Sequence, residues 1–126
     1  MEIENLFKTA VLHHGKKNFS KAKEIYEVLL QKNPDNLAIL QNYAALLAQI
    51  KNYKEADNIF KKCLKIKPKD PLLLYNYGKL FHDQKVFDKA AEFYKESFAA
   101  DPKNDIVLYN LGNIYSALKK FKKSIE

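Results

Sequence analysis

Apolar positions along this chain follow two superimposed periods. Over short distances they fall at i, i+3, i+4 and i+7, the spacing of one buried helical face. Leu40, Tyr43, Ala44 and Leu47 form one such stripe, Leu74, Tyr77, Gly78 and Phe81 a second, and Leu108, Leu111, Gly112 and Tyr115 a third. Over long distances the pattern returns every 34 residues without a gap. Ala22, Ala56 and Ala90 are one series, Tyr26, Phe60 and Tyr94 another, Pro34, Pro68 and Pro102 a third, and Phe19, Tyr53, Phe87 and Phe121 a fourth. A fixed period of this size predicts stacked supersecondary units, each too small to bury its apolar face alone.

The pattern predicts paired helices in units 3–36, 37–70, 71–104 and from 105 onward. In the first unit a helix over about residues 2–14 buries Leu6, Thr9, Ala10 and His13, Lys17-Asn18 makes the turn, and a second helix covers about residues 19–32. Pro34 cannot continue that helix but suits the opening of the next. In the second unit Ala56, Phe60 and Cys63 face back onto the first stripe, with small Ala44 and Ala56 where the helices approach closely. In the third, Ala90, Tyr94 and Ser97 do the same. Gly78 there forgoes about 1 kcal/mol of helix propensity, which predicts a close helix approach above it. The fourth unit is expected to start a second helix at Phe121, with Ser124 where the small Ala would be, and to be cut short at residue 126. Leu111, Tyr115 and Leu118 would then be partly uncovered, a surface on which a second copy could dock. Lys17, Lys51, Lys85 and Lys119 occupy the turns between paired helices. A left-handed backbone there costs about 1 kcal/mol, and Asn18 or Asn52 could take the bend instead.

The 34-residue period, the Ala-x3-aromatic spacing and the closing Pro together resemble the tetratricopeptide repeat (TPR), over essentially the whole chain. Leu108 to Tyr115 matches the family's W-x2-L-G-x2-Y best, and the first unit, with Thr9 and His13, matches it least, as a terminal repeat should. The resemblance implies an all-α protein, an α-solenoid of helix-turn-helix repeats forming a right-handed superhelix. Residues 1–126 would be a single domain with repeats at about 3–36, 37–70 and 71–104 and a truncated fourth at 105–126. It also implies a protein-interaction scaffold, not an enzyme, that holds a peptide or helix of a partner in its concave groove.

Candidate groove residues lie about 100° around each first helix from the buried stripe. They are Phe7 and Lys8 in the first unit, Gln41 and Asn42 in the second, Tyr75, Asn76, Lys79 and His82 in the third, and Tyr109, Asn110 and Asn113 in the fourth. Leu72 and Ile106 share the same stripe. Asn42, Asn76 and Asn110 recur in register, broken in the first unit by Lys8. An amide both donates and accepts, so such a row can pair with peptide backbone whatever its sequence, and the resemblance implies that role. Tyr75 and Tyr109 add stacking area. The alternative is a row of polar residues tolerated on a solvated face. The family's carboxylate clamp for acidic chaperone tails needs Lys, Arg and Asn where this chain has Phe7, Val11, Asn42, Leu72 and Asn76. Only Asn42 fits, so that ligand is disfavoured.

Composition narrows the remaining classes. Three Gly and four Pro leave room for long helices. The net charge of +7 rests on Lys alone, without Arg; with Glu2 lying before the first unit, the four units carry +2, +4, 0 and +2. Its densest part is Lys61, Lys62, Lys65, Lys67 and Lys69. Nucleic acid is an unlikely partner, because the lysines follow helix ends and the guanidinium geometry suited to phosphate is missing. No phosphate loop, nucleophile elbow or metal-ligand spacing is present, so no cofactor, metal or catalytic residue is expected. His13 and His14 point about 100° apart on a helix and His82 is remote, which predicts structural roles. A single Cys63 suits a reducing compartment. The acidic start Met-Glu-Ile-Glu and the lack of an apolar run of about 20 residues make a membrane span unexpected and cytoplasm the default location. A self-assembling scaffold and a regulatory segment of a larger protein are the other readings.

Overall fold

The computed structural model describes the backbone of residues 2–125 and the side chains of residues 2–120. The first three predicted pairs of helices form, and no strand occurs among the described residues. In chain order the helices are α1 (Glu2–Gly15), α2 (Phe19–Lys32), α3 (Leu37–Gln49), α4 (Tyr53–Ile66), α5 (Pro71–Asp83), α6 (Phe87–Ala100) and α7 (Asp105–Ile125). This is an all-α helical-repeat solenoid. Two compact units can be distinguished, Met1–Ile66 with α1 to α4 and Lys67–Glu126 with α5 to α7.

The turns inside the first three helix pairs are identical in construction. Lys17, Lys51 and Lys85 each adopt a left-handed backbone, with φ of 65°, 66° and 62°. The following N–H then reaches back to close the helix: Asn18 to the His13 carbonyl at 2.8 Å, Asn52 to Leu47 at 2.8 Å and Val86 to Phe81 at 2.9 Å. Together with the Lys N–H bonds to His14, Ala48 and His82, these are Schellman closures. The lysine itself therefore takes the bend, and the following residue, Asn or Val, does not. The connections between pairs carry a second recurring device. Asn36, Asp70 and Asn104, again 34 apart, cap the next helix by accepting from the backbone N–H of Ile39, of Leu72 and Leu73, and of Ile106 and Val107.

In the first unit the core is built on Tyr26 and Phe60, with Ile39, Leu40, Tyr43, Leu46 and Leu47 around them and Ala22, Ala44 and Ala56 at the close approaches. The expected buried face of α1 is narrower than its spacing suggests. Of Leu6, Thr9, Ala10 and His13 only Ala10 is buried. Leu6 is 41% exposed, Thr9 is exposed with its hydroxyl donating to the Asn5 carbonyl, and His13 is half-buried. α1 packs mainly on α2 and only slightly on α3, so little covers its flanks. Leu12 illustrates this: it is 55% exposed, whereas Leu46, 34 residues on, is fully buried in a helix that has α2 beside it.

In the second unit Leu74, Tyr77 and Gly78 of α5 meet Ala90, Tyr94 and Ser97 of α6, all buried as the stripes predict. Gly78 is the tightest point. A Cβ placed there would lie 2.8 and 3.0 Å from the Tyr94 ring and 3.3 Å from the Ala90 carbonyl. Ser97 Oγ also donates to the Pro71 carbonyl at 2.7 Å, joining the far ends of the pair.

α7 departs from expectation in two ways. It is one helix through Lys119, where a turn was expected, and no separate helix begins at Phe121. A left-handed lysine at 119 would cost about 1 kcal/mol, which a continued helix avoids. The Ala-Leu-Lys-Lys run at 117–120 contains only good helix formers, so the helix propagates. The side chains of Phe121 and Ser124 lie outside the described residues. Secondly, among the described residues α7 buries Val107, Leu111 and Ile114, packed with Ala90, Ala91 and Tyr94. Leu108 and Tyr115 of the expected stripe are 51% and 46% exposed. Leu111 is buried, not left uncovered, and Leu118 is packed at the edge of the same cluster.

Candidate functional site

In the second unit the candidate residues of α5 and α7 meet through a hydrogen bond. Asn110 Nδ2 donates to the Tyr75 hydroxyl at 3.3 Å and to the Ile106 carbonyl, one turn earlier on its own helix, at 2.9 Å. Both amide hydrogens are thereby engaged, which holds Oδ1 as the acceptor left for a ligand. The Tyr75 ring lies 5.7 Å from the Tyr94 ring, whose hydroxyl is hydrogen-bonded to His82 Nδ1 at 3.1 Å. Burial, reinforced by the neighbouring Tyr75 and Asp83, pushes the Tyr94 phenol well above its ordinary range. Asn110, Tyr75, Tyr94 and His82 thus form one connected chain of side chains that fixes the position of the Asn110 amide.

Exposure sorts these candidates. Tyr75, Asn76, His82 and Asn110 are half-buried, with Tyr75 and His82 packed against α6, while Lys79 and Asn113 are exposed. Tyr109 is 71% exposed, and Ile106 and Leu72 are 63% and 56% exposed. Large apolar side chains at this level of exposure, beside positioned amides, are surface that a ligand could cover. Leu72 and Ile106 gain weight from the structure, because the sequence places them on the right stripe but gives no measure of how far they project.

The first unit carries a looser version. Phe7 is half-buried, its ring 6.4 Å from that of Tyr26, and Lys8 is exposed. Gln41 and Asn42 are half-buried on α3, and Asn42 Nδ2 donates to the Ala38 carbonyl at 2.8 Å, as Asn110 does to Ile106. α1 and α3 are joined by His14, whose Nε2 donates to Gln49 Oε1 at 2.6 Å while its other nitrogen faces the Tyr26 hydroxyl at 3.5 Å.

A histidine–tyrosine pair is therefore built twice, His14 with Tyr26 and His82 with Tyr94, at the same 12-residue offset and 68 residues apart. In the repeat between them the two places hold Ala48 and Phe60, which have no polar atoms to satisfy. The sequence predicts structural roles for His14 and His82 without giving their partners, although the matched loss of both polar groups in the middle repeat is visible in it.

Other chemistry is sparse. No group of His, Cys, Asp or Glu that could hold a metal ion exists among the described residues. Cys63 is fully buried, and that burial pushes its thiol up to about 11, so it is not poised as a nucleophile. Within the lysine-rich run, Lys61 pairs with Asp57 at 3.0 Å, Lys62 with Asp35 at 3.5 Å and Lys67 with Asp70 at 3.9 Å. No helix among the described residues is long and apolar enough to cross a membrane.

Comparison with known proteins accords with this geometry. Sequence profiles described as "Tetratricopeptide repeat" match residues 13–80, 74–104 and 106–126, the first alone covering more than half the chain. Curated proteins give no significant sequence match. Among solved structures, the Sgt2 TPR domain from Aspergillus fumigatus superposes with a TM-score of 0.87 at 20% identity, covering 99% of this chain and 84% of that one. MamA 41-end from Desulfovibrio magneticus RS-1 gives 0.86 at 19% identity, with 98% and 70% covered. The first TPR of Spaghetti (RPAP3), bound to the HSP90 peptide SRMEEVD, gives 0.85 at 15% identity, with 93% of each chain covered. At such identities the likeness is one of fold. Profiles that tile the chain, an unbroken 34-residue period and helix pairs closed by identical turns lead to one assignment: the chain belongs to the tetratricopeptide repeat family.

Proposed function

We propose that this chain is a protein-interaction scaffold without chemistry of its own, and that the first helices of its repeats hold a peptide or helix of a partner in a concave groove. The observation that carries this reading is the α5–α7 face, where Leu72, Ile106 and Tyr109 are exposed beside Asn76 and an Asn110 amide fixed by Tyr75. Asn110 accepts a peptide N–H, Asn76 pairs with the next backbone group, and the apolar side chains cover the ligand's flank. Gln41 and Asn42 on α3, with Phe7 and Lys8 on α1, serve the same purpose in the first unit. Residues 1–126 act as one domain, and the single unreactive cysteine suits a reducing compartment such as the cytoplasm.

The neighbour bound to SRMEEVD carries an acidic peptide. Here the places that a carboxylate clamp would use hold Phe7, Val11, Asn42, Leu72 and Asn76, of which only Asn42 fits the clamp and none is charged, so an apolar segment paired through its backbone suits this face better than an acidic tail. The test is selection of random peptides displayed on phage against the intact chain. Recovered sequences should be rich in apolar residues, and binding should weaken about 10- to 30-fold in Asn76→Ala/Asn110→Ala, as expected for two hydrogen bonds of about 1 kcal/mol each. Circular dichroism and melting should be nearly unchanged. Normal binding by the double variant, or selection of acidic C-terminal sequences only, overturns the proposal.

A further inference from the structure

The α5–α6 pair differs from the pair before it at the end where α5 begins and α6 finishes. A cleft of about 390 Å3 opens there, lined by buried Leu74, by Pro68, Ala99 and Ala100, and by the charged Lys69 and Glu96. All six lie in an interior repeat, with α4 before it and α7 after it in the chain. The same places in the α3–α4 pair, 34 residues earlier, hold Leu40, Pro34, Lys65, Ile66, Asp35 and Lys62. Two long side chains thus stand where α6 has only methyl groups. Lys62 Nζ also reaches Asp35 at 3.5 Å, an ion pair that joins α4 to the loop before α3. In the α5–α6 pair the two charges are exchanged, Lys for Asp and Glu for Lys, and neither Lys69 nor Glu96 forms an ion pair among the described residues.

A concave, mostly apolar surface with a few placed polar groups is what a small ligand needs. Here the apolar base has a cation on one side and an anion on the other. A fatty acid or an alkylamine would satisfy one of these and leave the other charge against hydrocarbon. An aliphatic α-amino acid satisfies all three: its carboxylate accepts from Lys69 Nζ, its ammonium donates to Glu96, and its branched side chain covers Leu74 and the methyls of Ala99 and Ala100. We propose that this cleft is a binding site for free aliphatic α-amino acids such as leucine and isoleucine. An exposed contact between Lys69 and Glu96 would be worth little, so nothing strong is broken when a ligand enters. So small a ligand in a cleft open to water binds weakly, with a Kd of about millimolar order. No residue of the concave-face reading lines this cleft, so the two proposals stand or fall separately.

The test is titration of the intact, isotope-labelled chain with L-leucine to about 20 mM, well past such a Kd, followed by amide chemical shifts. Saturable changes are expected at Lys69, Leu74, Ala99 and Ala100, and glycine, which lacks the side chain, should cause none. N-acetyl-leucine and leucinamide each lack one charge and should bind about tenfold more weakly or worse. Ala100→Ile, at an exposed position, restores the side chain that the preceding pair has as Ile66, so it should abolish binding and leave melting unchanged. The absence of saturable changes with leucine overturns the proposal. Equal affinity for N-acetyl-leucine overturns it too, because the cleft then reads a carboxylate alone, as at the end of a protein chain. Unchanged leucine binding by Ala100→Ile also overturns it, because the ligand then sits elsewhere.

Discussion

Gly78 is the residue at which packing most plainly overrides helix propensity. Alanine there would gain about 1 kcal/mol of propensity, but its methyl would meet a fully buried Tyr94 ring and a backbone carbonyl, neither able to retreat. We expect Gly78→Ala to destabilise by about 1 to 3 kcal/mol in urea denaturation, and Gly112→Ala, with open space above it, to stabilise by about 0.5 to 1 kcal/mol. Equal effects at the two sites would contradict the packing described. The buried hydroxyls and thiol set a pH limit of their own. Burial raises the Tyr26 phenol from 10.0 to about 12 and the Cys63 thiol from 9.0 to about 11. Both groups stay protonated longer in the fold than in the unfolded chain, so their contribution is complete below about pH 9 and is lost as pH climbs through these values. The melting temperature should therefore be flat up to about pH 9 and fall steeply from 10 to 12, and a flat profile through pH 11 would contradict it.

At the scale of the helices, most of the fold was legible because one arithmetic governs it. The predicted second helix over about 19–32 is α2 (Phe19–Lys32), and the stripes of α3 and α5 bury nearly as their spacing requires, with Phe81 only half-buried. What spacing could not convey is which neighbours a helix has. α1 carries the right periodicity and buries little more than Ala10, and α7 buries Val107 and Ile114, at the places where α3 buries Ile39 and Leu46 and α5 buries Leu73 and Leu80, while Leu108 and Tyr115 of the expected stripe stay exposed. The caps lie outside the predicted pattern yet share its arithmetic: Asn36, Asp70 and Asn104 stand in register two residues after the prolines. Asp70 accepts two backbone N–H bonds, so Asp70→Ala should cost about 1 kcal/mol, measurable as a lower denaturation midpoint with an unchanged slope. Lys51→Gly should act in the opposite direction, by about 0.5 to 1 kcal/mol, because glycine takes the left-handed turn without strain.

For the molecule as a whole, the candidate site was legible as a list of positions but not as a graded surface. Period and stripe identify Tyr75, Asn76, Tyr109 and Asn110, but only packing shows that Tyr75 is anchored on Tyr94 while Tyr109 projects into solvent. The same packing assigns His82 to Tyr94, so that its ring supports the site from behind, and its removal should loosen α5 against α6 before it alters ligand contacts. The account rests on α5 and α7 presenting one face to a partner segment. The most direct measurement is an amide chemical-shift map of the isotope-labelled chain titrated with a peptide selected from the random library. The largest changes should fall on Asn76, Tyr109 and Asn110 and the residues beside them on α5 and α7. Changes concentrated on α2, α4 or α6, with those three unmoved, would contradict it.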